Sequence, residues 1–339
     1  MKYNQRIYFI VGMGRSGTTL LSNMLNMHPE VVSTPENNFA LFGKSLAKSR
    51  LLNIDFELFK EMIKRRHNHE TSIWFPSDSF IDAISREDVS YSQLCKAVYL
   101  NYDKAKNPEE ASVLVDKNPI YSLYMDKILK LFPEARFIVL SRDYRDNILS
   151  RKRVFTGWIN SNTIHSYMWA KYYKSIMAFA NKHKGITHFF RYEDLVSHPE
   201  SELKRLCDFL QVEYCQDMTN PAENTAKLLS HAEVNLGLES RKKIELMHNR
   251  LLKPIDTEKL NKWQGKFNQS ELNTIEVIAG KTGEYFNYKK TLKPSIGDVL
   301  LVRLKLFLLF LPINSYNFIF DLYYYKMPLR LKLFYFKKR

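Results

Sequence analysis

The run Ile7-Tyr8-Phe9-Ile10-Val11 followed by Gly12-Met13-Gly14-Arg15-Ser16-Gly17-Thr18-Thr19 constrains this chain more than any other stretch. A continuous apolar run of β-formers suits a strand buried on both faces of a parallel sheet. After the glycines, Leu20, Leu21, Met24 and Leu25 recur at helical spacing over 18–27, and the pattern stops before His28-Pro29. A glycine-rich turn between a strand and a helix aims several backbone N–H groups, with the positive end of the helix dipole, at one point. Such a point binds phosphate or sulfate.

The rest of the chain repeats the alternation. Strands are expected at 113–115, 136–141 and 187–190, with helical stretches at 120–132 and 161–182 between them. This predicts an α/β fold: a P-loop NTPase-like parallel sheet flanked by helices, with ligands at the carboxyl ends of the strands. Residues 1–294 read as one domain. Within it, 43–112 forms a mainly helical insertion expected to shape an acceptor pocket, and 295–339 is a basic, apolar C-terminal tail. A chain of 339 residues can bury the core this needs, and 45% hydrophobic residues with only 11 Gly and 12 Pro argue against long disordered stretches. The formal charge of +15 points to anionic partners without choosing among nucleic acid, membrane and nucleotide. Cys95, Cys207 and Cys215 show no CxxC spacing, so neither a disulfide framework nor a zinc site is expected. The apolar run at the N-terminus is too short for a signal peptide and leads straight into the glycine loop, which predicts a cytoplasmic protein.

The spacing from Gly12 to Gly17 matches a Walker A loop except at the lysine, where this chain has Thr18. A phosphoryl-transfer enzyme needs that lysine on the β- and γ-phosphates, so its absence argues against ATP hydrolysis or a small-molecule kinase. The cation here is Arg15, whose fork can clamp a 5′-phosphate and sulfuryl oxygens without a metal ion. The segment 14–20 resembles the 5′-phosphosulfate loop of the sulfotransferases that use 3′-phosphoadenosine 5′-phosphosulfate (PAPS). The resemblance implies that Gly14, Arg15, Ser16, Gly17, Thr18 and Thr19 hold the donor's 5′ side.

PAPS also carries a 3′-phosphate. Arg142, at the end of the strand 136–141, and Ser150, eight residues on, are similar to the family's 3′-phosphate motif. The other reading of Arg142-Asp143 and Arg145-Asp146 is a solvated charge cluster. Tyr192 stands in Tyr192-Glu193-Asp194-Leu195, which resembles the family segment whose tyrosine lies near the adenine; Asp194 equally suits a helix N-cap. Lys262-Trp263-Gln264-Gly265-Lys266 resembles the loop that closes over the nucleotide, particularly in tyrosylprotein sulfotransferases, and Trp263 equally suits a core aromatic.

Sulfuryl transfer to an alcohol needs a base for the hydroxyl proton and cations for the charge that develops. The resemblance to Golgi-type and tyrosylprotein sulfotransferases implies Glu36 as base, and Lys117 with Arg15 as the cations on the transferred group. Asp116 either substitutes as base or orients Lys117. His28 reads as a helix stop, and His165 has no evident partner. PAPS is thus the expected co-substrate, PAP the product, and no metal is expected; nucleic acid is not expected as a partner. A non-catalytic nucleotide- or lipid-binding protein is the remaining rival class.

The tail from 295 to 339 holds eight Lys/Arg against Asp298 and Asp321. Its apolar run is too short to span a bilayer but suits an anionic membrane surface, or else a cap packed on the protein's own core. The first reading favours a lipophilic alcohol as acceptor (a sterol, lipid or glycolipid), with glycans also open.

Overall fold

The computed structural model describes residues 3–37, 39–47, 53–67, 90–101, 110–157, 160–223, 225–226, 252–322 and 326–336. Five strands, β1 Arg6–Gly12, β2 Val31–Thr34, β3 Val113–Lys117, β4 Arg136–Ser141 and β5 Thr187–Arg191, form one sheet in the order β2-β3-β1-β4-β5. Every pairing is parallel. All the carboxyl ends therefore lie along one edge.

Four of these strands fall where the apolar runs predict them. The fifth, β2, is not among the strands expected from the sequence: its four residues lie between Pro29 and Pro35. The stretch is too short for periodicity to register. Its pairing with β3, from Val31 opposite Val113 to Thr34 opposite Asp116, makes it an edge strand and sets Glu36 just past its end.

The helices that position the site are α1 Thr18–Asn26, α2 Tyr91–Leu100, α3 Tyr144–Lys152, α4 Asn162–Lys182, α5 Tyr192–Ser197, α6 Pro199–Leu210, α7 Gln269–Glu284 and α8 Ile296–Asp321. Side chains of β1 alternate between two cores. Phe9 and Val11 join a cluster with Leu94 and Val98 of α2, Trp169 and Tyr173 of α4 and Ile275 of α7. Tyr8 and Ile10 join another with Leu21 and Leu25 of α1 and Leu203 and Leu206 of α6. Burial on both faces is why the strand reads as uniformly apolar. Of residues 43–112, the described parts include a helix over Asn53–His67 as well as α2, which packs directly on β2 and β3.

The helix expected over 120–132 is interrupted. Pro119–Leu123 is a 3₁₀ turn and Met125–Leu131 a separate helix, with Tyr124 between them at φ −136°. Tertiary demand explains the break. The tighter turn brings the Ser122 hydroxyl beneath the glycine loop, where it accepts from Gly12 N at 2.9 Å and donates to Gly12 O at 3.0 Å. The three cysteines are free thiols.

Candidate active site

The loop after β1 is held in a shape that only certain residues can take. Gly12 has φ +145°, and a Cβ there would lie 2.3 Å from the Leu140 carbonyl oxygen. Gly17, at φ +92°, precedes α1 and passes so close to Tyr192 that a Cβ would meet its ring at 2.4 Å. Arg15 is itself left-handed at φ +74°, a strained choice for a long side chain. The strain is stabilised from outside the loop: Arg142 donates to the Arg15 carbonyl at 3.2 Å, and Asn147 donates to Gly14 O at 3.1 Å and to Ser16 Oγ at 3.0 Å. Tyr173 braces the loop from below, accepting from Met13 N at 3.3 Å and donating to Leu140 O at 2.8 Å.

Arg15, Gly17, Thr18, Thr19, Arg142, Ser150, Tyr192 and Lys262 line one cleft of about 500 Å³. Arg15 Nε donates to Ser150 Oγ at 3.3 Å, and the Arg142 guanidinium lies 4.6 Å from the centre of the Tyr192 ring. Sequence positions 15, 142, 150 and 192 thus converge. Ser16 is buried behind the loop, its hydroxyl engaged by Asn147 and Tyr173, and Gly14 contributes its carbonyl to Asn147. Sequence reading missed Asp146, Arg153, Lys253, Pro254, Ile255 and Lys259, which also line it, together with Asp256 and the apolar Leu20, Leu149, Val154 and Val196. The Lys253-Pro254 pair just ahead of the Trp263 loop was the signal available for Lys253, Pro254, Ile255 and Lys259.

Electrostatically the cleft is lopsided. Among the described residues neither Arg15 nor Arg142 has a carboxylate ion-pair partner, and Arg142 Nε is buried without a hydrogen-bond acceptor. Burial, and then the neighbouring Arg142, hold the Arg15 guanidinium below its usual range. Arg145 behaves differently. It is buried, pairs with Asp143 at 2.7 Å and Glu276 at 3.2 Å, and is covered by the Trp263 ring at 4.1 Å. The solvated-cluster reading of this segment therefore fails: Arg142 faces the cleft and Arg145 is an internal structural pair.

Trp263 and Lys266 do not line the cleft. Trp263 is buried on Arg145, and its backbone N–H donates to Asp146 Oδ1 at 2.9 Å, so the core reading holds for its ring. Lys266 is exposed in the turn after it. Asp194 is not an N-cap: Arg191 occupies that position, and Asp194 sits in the first turn of α5, 3.5 Å from Arg191. The working carboxylate of that segment is Glu193, which accepts from Asp143 N and from Tyr288 OH, both at 2.9 Å.

The model of the sulfotransferase family matches residues 8–217. This chain belongs to that family. It is 28% identical to protein-tyrosine sulfotransferase 1 of Danio rerio over 283 residues, 80% of this chain and 70% of that protein. Among solved structures it resembles the sulfotransferase domain from the curacin biosynthetic pathway, with TM-score 0.57 and 25% identity, covering 84% of this chain and 98% of that one. The fold also matches the sulfotransferase domain of the Synechococcus PCC 7002 olefin synthase, with TM-score 0.58 at 20% identity, covering 84% and 96%.

The other half of this sulfotransferase's edge carries Glu36 and Lys117, outside the lining of the cleft. Lys117 ends β3 directly beside Ile10 of β1, and its Nζ lies 3.3 Å from Glu36 Oε2. The pair is asymmetric: the lysine side chain is 6% exposed and the glutamate 58%. Asp116 is wholly buried between Tyr99, which donates to it at 2.5 Å, and the Asn118 amide. Burial pushes its carboxyl up to about 7, against the pull of those two donors and of Lys117. Enclosed by these donors, Asp116 steadies the turn that carries Lys117. Asn118 links the same turn to the Glu36 loop by donating to Asn37 O at 2.8 Å. Neither histidine flagged from sequence reaches this region. His28 is buried and bonded to Glu213 O at 2.7 Å, and His165 accepts from Arg151 Nε at 3.3 Å, with burial and that arginine lowering it to about 4.

Proposed function

We propose that the chain is a PAPS-dependent sulfotransferase acting on a hydroxyl acceptor, with Glu36 as general base. One observation carries this reading. Read across the sheet, the strand ends present Glu36 after β2, Lys117 on β3, the glycine loop after β1, Arg142 after β4 and Tyr192 after β5. Strands about 4.8 Å apart spread these groups over roughly 19 Å, enough for a nucleotide at one end and an acceptor at the other. Family membership implies PAPS as the donor, and the cation excess of the cleft suits it: Arg15, Arg142, Arg153, Lys253, Lys259 and Lys262 outnumber Asp146 and Asp256 in its lining.

The residues divide the work as follows. The loop N–H groups and the N-terminus of α1 receive the 5′ side of the donor, while Arg142 and Ser150 receive the 3′-phosphate and Tyr192 supplies an aromatic face for the base. Glu36 takes the proton from the acceptor hydroxyl as the new oxygen–sulfur bond forms. The bond between sulfur and the 5′-phosphate oxygen breaks, and PAP leaves. Lys117 and Arg15 offset charge on the transferring and departing oxygens. Lys117 also holds the Glu36 carboxylate in place before reaction.

For the acceptor we infer a lipophilic alcohol, supported by the exposed apolar tail; the names of the relatives point instead to protein tyrosine. Transfer of label from ³⁵S-PAPS across a panel of sterols, glycolipids, glycans, phenols and tyrosine peptides tests donor and acceptor together. Sulfation of any hydroxyl compound supports the function, and preference for the sterol or glycolipid supports the acceptor class. Tight PAP binding with no transfer to any member would favour a binding protein, and ATP-dependent phosphorylation would overturn the reading.

A further inference from the structure

The helix α8 is 26 residues long, about 39 Å, and opens on a capping box between Ser295 and Asp298. One side of it faces the protein: Val302 is 2% exposed, and the helix packs on α7. The chain beyond it is also docked, with Leu329 and Leu333 in the core and Lys332 donating to Phe42 O at 2.8 Å. The tail is therefore partly a cap.

Its outward side is not covered. Ile296 is 81% exposed, Phe307 74%, Leu308 67%, Ile319 64% and Phe318 59%. At 100° per residue these, with Leu300, Leu301 and Leu304, fall within an arc of roughly 140° that holds no charged residue. Arg303 borders that arc on one side and Lys305 on the other. Exposed Lys326 and Arg330 lie past the end of the helix. Exposed apolar side chains gathered on one side of the helix, over 296–308 and again at 318–319, mark an interaction surface rather than ordinary scattered exposure.

We propose that α8 lies in the headgroup layer of an anionic bilayer, its apolar stripe inserted and Arg303 and Lys305 extending sideways to lipid phosphates. The placement of the two cations decides between occupants. Long basic side chains at both margins of an apolar arc reach the polar layer while the stripe stays buried, the arrangement of an interfacial helix. A second copy of the chain would instead bring these cations against their own counterparts. The tail offers only Asp298 and Asp321 as acids, one held in the capping box and the other accepting from the Tyr124 hydroxyl. Among the described residues no helix is long and apolar enough to cross a membrane, so the contact is with one face of the bilayer.

The test is co-sedimentation of the full chain with vesicles of phosphatidylcholine alone and of phosphatidylcholine containing one third phosphatidylserine. Strong binding is expected only to the second, weakening with salt, and about fivefold weaker for each of Arg303→Gln and Lys305→Gln. The double variant Leu304→Gln/Phe307→Gln should bind more than tenfold more weakly, with PAP affinity unchanged as the check on its fold. Equal binding to both vesicle types, or binding to neither, overturns the proposal without any variant. So does a concentration-dependent dimer, seen by light scattering, that the double variant dissociates.

Discussion

The two halves of the sheet's carboxyl edge solve opposite electrostatic problems. On the side of β1, β4 and β5, Arg15 and Arg142 crowd together and leave buried Nε of Arg142 without an acceptor. On the side of β2 and β3, the cation has its carboxylate: Lys117 faces Glu36, and the buried Asp116 is enclosed by hydrogen-bond donors. An unneutralised half is suited to binding a fixed polyanion, and hydrogen bonds from Arg142 and Asn147 brace its loop. A neutralised half is suited to moving a proton, because a glutamate held by a lysine can accept one while the lysine turns to new negative charge. In the function proposed above, charge excess goes with the half that binds the donor and charge balance with the half that does the chemistry.

The largest effect should come from breaking the chemical half alone. Glu36→Gln keeps the shape and removes the base, so sulfuryl transfer should fall by roughly 10²–10⁴-fold in a labelled-sulfate assay at saturating donor. A fall of less than tenfold would move the base elsewhere. Next comes the binding half: Arg142→Ala should weaken PAP by about tenfold to a hundredfold, from the loss of charge-assisted hydrogen bonds. Adenosine 5′-phosphate, which lacks the 3′-phosphate, should lose little, and an equal loss for both ligands would detach Arg142 from the 3′ site.

Two smaller predictions concern the scaffold beneath each half. Gly17→Ala forces a Cβ into the Tyr192 ring at a positive φ, and should lower Tm by roughly 5 °C by differential scanning calorimetry. An unchanged Tm would show that the loop and α5 are not locked together. Asp116 gives a pH signature. Burial raises its folded-state value to about 7 from 3.8, so its contribution to stability is present at low pH and is lost as pH rises between those values. Asp116→Asn should flatten that part of the Tm–pH profile, and a slope identical to the parent's would assign the titration to another group.

How much of this was legible in the sequence follows the same division. The binding half was largely readable, because backbone and charge at a strand end leave local marks: the glycines at 12 and 17, Arg15, and Arg142 with Ser150 two helical turns on. The fold followed from β1 and β4, whose burial on both faces writes an uninterrupted apolar run. The chemical half was harder. Glu36 owes its position to β2, four residues whose strand character comes from pairing with β3 rather than from any pattern of their own. The break at Tyr124 escaped for a related reason, since only contact with Gly12 favours the 3₁₀ turn over a continuous helix. Trp263 shows an ambiguity the sequence left open: its motif suited both the nucleotide and the core, and its ring covers Arg145, an interaction between residues more than a hundred positions apart. Lys253 and Lys259 enter the cleft from a segment with no regular structure, where periodicity carries no information and the Lys253-Pro254 pair is the one local mark.

The division of labour between the two halves is tested most directly by calorimetric titration of PAP into Glu36→Gln and Arg142→Ala side by side. PAP should bind Glu36→Gln within about twofold of the parent and Arg142→Ala at least about tenfold more weakly. Loss of PAP affinity in Glu36→Gln with full retention in Arg142→Ala would contradict it.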